Sequence, residues 1–139
     1  MRIQILDLSP STTTGAAPAV AFSGACGRAW ARWRGLEMPE VGDFADVEVD
    51  IPDEITSWAV ADGPALVASG APGAPVRIRG SVEAADEDSV LAVRVGADML
   101  LVEVAGSGAF LLPGHAGKPR LGDSIEFTTP WIEVHPYSI

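Results

Sequence analysis

Apolar and polar positions in this chain alternate with a period of two, and almost nowhere with a helical period. Arg2, Gln4 and Leu6 alternate with Ile3, Ile5 and Asp7, which predicts a short first strand. A second strand is predicted from about Ala19 to Arg34, broken by a bulge or sharp bend near Gly24 or Gly27. Val47, Val49 and Ile51 then alternate with Asp46, Glu48 and Asp50, the pattern of a strand with one buried and one acidic face. Pro52 ends that strand. Asp53 to Trp58 is the best helix candidate, a single turn with proline at its start.

The second half repeats the alternation. Ala65 to Ala68 predicts a short strand, and Gly70 to Pro75 is the most linker-like break. Val76, Ile78, Gly80 and Val82 alternate with Arg77, Arg79, Ser81 and Glu83. Asp86-Glu87-Asp88 predicts a solvated turn rather than a calcium loop, because it lacks the ladder of ligands such a loop needs. Val90–Val95 and Met99–Val104, joined across Gly96-Ala97-Asp98, form the strongest hairpin signal. Ala105 to Arg120 is a Gly- and Pro-rich loop, and strands at Ser124–Thr128 and Trp131–Tyr137 close the chain.

Two stretches resemble each other. Glu40-Val41-Gly42-Asp43 leads into an alternating strand ending at Pro52, and Arg120-Leu121-Gly122-Asp123 leads into one ending at Pro130. A tryptophan follows each proline, at Trp58 and Trp131. Either an internal repeat, with halves at 1–70 and 76–139, or independent recurrence of Gly-Asp turns accounts for this. The reading is all-β: a small antiparallel β-barrel or sandwich. Its open forms are two fused meander halves that resemble OB or SH3 barrels, or one barrel with a partner sheet. At 139 residues the chain is read as one compact unit.

Composition narrows the function classes. Nine Lys and Arg against nineteen Asp and Glu give a net charge of −10, spread over both halves, which argues against nucleic acid; it suits a basic protein partner, but solubility is the stronger reading. The apolar runs are too short to span a membrane. Cys26 is the only cysteine, and Gln4 and Asp7 interrupt any export signal at the N-terminus, so a reducing cytoplasm is the expected compartment.

One cluster combines basic and aromatic residues. On a strand, Arg28, Trp30, Arg32 and Arg34 share one face, and Ala29, Ala31 and Trp33 share the other. Such a surface on an OB-type barrel stacks bases and holds phosphates. The stronger reading pairs the arginines with Asp46, Glu48 and Asp50 on the next strand. Near the end of the chain Trp131, Glu133, His135 and Tyr137 share a face and form a candidate ligand or partner patch, although a satisfied surface histidine is the stronger reading of His135.

The remaining candidates carry less. The Pro113–Pro119 loop fails the phosphate-loop pattern, because Lys118 precedes Pro119 and a strand follows. His115 and His135 have no metal-ligand spacing, and a site would need them to meet in space with Asp123 or Glu133. Arg28 near Cys26 would lower the thiol pKa if both were exposed, but a buried, inert cysteine is the default. Ser9 to Thr14 offers hydroxyls with no base.

No cofactor or metal is expected, and no set of nucleophile and base points to an enzyme. The leading expectation is a non-enzymatic protein-interaction module of adaptor, inhibitor or immunity type, or self-association. Its surface would draw on Trp30, Trp33, Trp58 and Trp131. Single-strand binding through Arg28–Arg34 comes second, and a small-molecule or enzymatic site near Gly106–Pro119 third.

Overall fold

The computed structural model describes residues 1–9, 17–85, 89–105 and 119–137. Eleven strands are present among these residues: β1 (Arg2–Ser9), β2 (Ala19–Gly24), β3 (Gly27–Trp33), β4 (Phe44–Asp50), β5 (Ala59–Val60), β6 (Leu66–Ala68), β7 (Val76–Ala85), β8 (Val90–Val95), β9 (Asp98–Glu103), β10 (Ser124–Thr129) and β11 (Glu133–Pro136). No described residue is helical, so the all-β reading holds. The Asp86–Asp88 turn, Ser11–Thr14 and most of the Ala105–Arg120 loop lie outside the described residues.

The strands make a closed five-stranded barrel in the order β1-β2-β3-β11-β4, with β4 returning to β1, and a second sheet in the order β5-β10-β7-β8-β9. The alternating residues sort as the sequence predicts. Ile3, Ile5, Val20, Phe22, Val47 and Val134 fill the barrel, while Ile78, Val82, Leu91, Val93, Val102, Ile125 and Phe127 make the buried face of the second sheet. Short β6 joins the two. It pairs with β7 on one side, and on the other Val67 N donates to the Cys26 carbonyl and Ser69 N to that of Arg28.

The Gly-Asp resemblance has a structural counterpart in the two turns and in the ladders they meet. Glu40 N donates to Asp43 Oδ2 at 2.9 Å, and Arg120 N donates to Asp123 Oδ2 at 2.9 Å. Gly42 N donates to the Ile5 carbonyl and Gly122 N to that of Val82, each at 2.8 Å. The β1–β2 ladder is irregular between Ile5 and Asp7, and the β7–β8 ladder between Val82 and Ala84. Two-residue turns, Ala25-Cys26 and Gly96-Ala97, close the following hairpins.

The halves nevertheless do not close on themselves. β11, encoded after β10, completes the barrel by pairing in parallel with β3 and antiparallel with β4. The segment after β4 crosses the other way. Ile55 bridges in parallel to Val104 beyond β9, and β5 pairs antiparallel with β10.

This corrects the helix reading of Asp53–Trp58. Ile55 N donates to the Glu103 carbonyl and Ala105 N to that of Ile55, so an extended segment meets its hydrogen bonds in a neighbouring strand. One helical turn offers too few bonds to compete.

Candidate binding face

The face predicted for β3 forms. Ala29, Ala31 and Trp33 are buried in the barrel, and Arg28, Trp30, Arg32 and the adjacent Arg34 point outward. Cross-strand partners on β2 are small: Ala21 opposite Trp30, Ala19 opposite Arg32 and Ser23 opposite Arg28. The indole and guanidinium groups therefore stand above their neighbours on that side. Trp30 N donates to Ser69 Oγ at 2.8 Å, which holds β6 against the same strand.

β11 lies on the other side of β3, with Glu133 opposite Arg32. Ile132 and Val134 are buried in the core, so Trp131, Glu133, His135 and Tyr137 share the outer side, as the alternation predicts. Arg32 stacks on Trp131 with its guanidinium carbon 3.3 Å from the ring centroid. Trp30, Arg32 and Trp131 are all half-buried, which leaves an aromatic-cation surface on the closed barrel.

Two tryptophans fall elsewhere. Trp33 and Trp58 are each only 6% exposed and belong to the core, so neither is available to a partner at this surface. Alternation had already set Trp33 on the alanine face; its Nε1 donates to the Glu37 carbonyl at 2.8 Å. Trp58 follows from the extended course of residues 51–60, which no local pattern revealed.

The predicted pairing of the arginines with β4 is also corrected. β4 is not beside β3, because β11 enters between them. Arg34 Nε instead bonds Glu133, a carboxylate only 9% exposed, and Asp46 pairs with Arg2 at 3.2 Å. Glu133 was visible on the Trp131 face, but its partner lies 99 residues away in sequence and no local signal joins them.

Asp50 and Glu48 lie opposite Glu133 and His135 on the β4–β11 ladder. They add acid to the far side of the face. His135 and Glu133 do come together, whereas His115 lies outside the described residues. Cys26 is partly buried at the β2–β3 turn, and burial, with the charge of Asp98, pushes its thiol pKa above 9.0. It is therefore not an activated nucleophile.

A separate cleft of about 200 Å³ is lined by residues including Gly63, Ala65, Ser81, Arg94 and Ser124. It is smaller than the usual ligand pocket, and Glu83 already pairs with Arg94 at 3.0 Å. Most of the Gly106–Pro119 loop lies outside the described residues. Among the described residues no helix is long and apolar enough to cross a membrane. Compared with known proteins, the chain matches no family model, no curated protein and no solved structure.

Proposed function

We propose that this chain is a non-enzymatic protein-recognition module that docks a polypeptide on the outer face of β3 and β11. The observation that carries this reading is the Arg32–Trp131 stack beside half-buried Trp30. Tryptophan and arginine dominate the energetics of protein interfaces, and here both are pre-ordered by the strands that hold them. Glu48 and Asp50 two strands away suit a partner that brings a basic side chain to that rim and apolar groups to the indoles. A reduced cytoplasm would suit the single thiol. A second copy of the chain is one polypeptide that meets this description.

Single-stranded nucleic acid is the second reading. It is favoured by the five-stranded barrel order, which is OB-like, with Arg28, Trp30 and Arg32 on its third strand. Charge decides against it. Glu133 occupies Arg34, and the acids of β4 stand about 10 Å from β3, within about one Debye length. Phosphate would approach two remaining arginines on a chain of net charge −10.

Affinity purification from the native host tests both readings, with wild type compared against Trp131→Ala and Arg32→Ala. A stoichiometric protein, retained after nuclease and lost with either variant, is the expected result. Sedimentation equilibrium identifies a second copy. Recovery of nucleic acid whose retention falls steeply with salt and with Arg28→Ala would replace the protein reading.

A further inference from the structure

The β4–β11 ladder carries a second cluster, distinct from the tryptophans. Asp50 is the Cα partner of Glu133, and Glu48 is the partner of His135. All four sit on the outer side of the barrel, because Val47, Val49, Ile132 and Val134 occupy its interior. One donor atom each from Asp50, Glu133 and His135 lies within 4.8 Å of the others.

Like charges placed directly opposite on a sheet repel, so the Asp50–Glu133 pair is unfavourable by itself. Arg34 relieves only part of this, since its Nε bonds a single oxygen, Oε2 of Glu133. The other Glu133 oxygen, the Asp50 carboxylate and an imidazole nitrogen remain as a mixed oxygen–nitrogen donor set. Donors that bind zinc at about 2.0–2.2 Å stand about 3–4 Å apart around one ion. The donors lie within 4.8 Å of one another, and Asp50 and His135 are exposed side chains not held by packing on all sides.

We infer that Asp50, Glu133 and His135 form a binding site for a divalent transition-metal ion of the zinc class. An imidazole donor and few oxygens disfavour calcium and magnesium, which take six or more oxygens or keep most of their water. Two rigid strands fix the backbone of all three ligands. Arg34 acts behind Glu133 as an orienting group, as second-shell hydrogen bonds do in metal sites. Three protein donors leave a fourth position open to water. This departs from the sequence expectation of no metal: His135 and Glu133 are near neighbours in the chain, but the third donor, Asp50, comes from a distant strand. It does not rest on the protein-docking reading, although the two surfaces adjoin.

Isothermal titration of the chelator-stripped full chain with Zn²⁺, Mn²⁺ and Ca²⁺ tests the site. One equivalent of Zn²⁺ is expected, bound at least about tenfold more tightly than Mn²⁺, with Ca²⁺ weakest. His135→Ala and Asp50→Asn alter exposed side chains, so circular dichroism should stay native while Zn²⁺ affinity falls at least about tenfold. His115→Ala and Cys26→Ser should leave binding unchanged. Absence of stoichiometric Zn²⁺ binding, or binding that survives His135→Ala and Asp50→Asn, would overturn the assignment. Neither result bears on docking at Trp131, which Trp131→Ala tests separately.

Discussion

Glu126 shows how one side chain ties this fold to pH. It lies opposite Arg79 on the β7–β10 ladder, with Arg79 Nη2 at 2.6 Å and Arg77 Nη2 at 3.3 Å from its Oε1. Burial alone would raise its pKa, but the hydrogen bonds and charges of the two arginines outweigh this and hold it below 4.5. A lowered carboxylate pKa means the unfolded chain takes up the proton first as pH falls. The stabilisation is therefore present above pH 4.5 and disappears as the pH falls through the folded value. Glu126→Gln should lower stability by about 1 kcal/mol at pH 7, and the gap to wild type should close in acid. Thermal melts between pH 3 and pH 7 measure this; a gap that does not change with pH would rule it out. Cys26 has the opposite sign, because burial and Asp98 favour its neutral form. Alkylation by iodoacetamide should be slower than for the unfolded chain at pH 8.5, with its inflection above 9.0. Stability should also decline as the pH rises past 9.0, where the unfolded chain ionises first.

At the scale of the element, Gly-Asp turns set where strands begin. Gly42 and Gly122 take positive φ values of 96° and 86°, the third position of turns that open β4 and β10. A Cβ at either glycine would meet nothing within 4 Å, so substitution isolates backbone strain from clashes. Gly42→Ala and Gly122→Ala should each lower stability by about 1–2 kcal/mol, with Asn milder because it tolerates this conformation. Urea unfolding measures both, and a neutral result at either position would break the equivalence of the two turns. Those turns and most strands were legible in the sequence, because period-two alternation and Gly signals are local. Val90–Val95 and the Leu66–Ala68 core of the Ala65–Ala68 stretch are cases in which pattern and structure agree. Asp53–Trp58 was misread, since its fate depends on Glu103 and Ala105 some fifty residues later. The outer face of β3 could be read from alternation, but its neighbour could not. Whether Arg34 meets Asp50 or Glu133 depends on β11 entering in parallel, and parallel pairing leaves no local turn signal.

At the scale of the whole molecule, the crossing segments argue for one cooperative unit. Each sheet takes a strand encoded beside the other, so neither half of the chain holds all the strands of one sheet. Ile132, with no exposed surface, leads into β11 and packs in the barrel; Ile55, 1% exposed, bridges to the end of β9. Removing either side chain leaves a cavity in one sheet but weakens a segment continuous with the other. Ile132→Ala and Ile55→Ala should each lower stability by about 3 kcal/mol, a large share of a typical folding free energy. Both losses should appear in a single transition. Tryptophan fluorescence samples Trp30, Trp33 and Trp131 at the barrel and Trp58 on the crossing segment, while far-ultraviolet circular dichroism reports all strands. Coincident midpoints by both probes, shifted together in either variant, are the expected outcome. Separate transitions, with Ile132→Ala moving only one of them, would mean that the two sheets fold independently despite the shared strands.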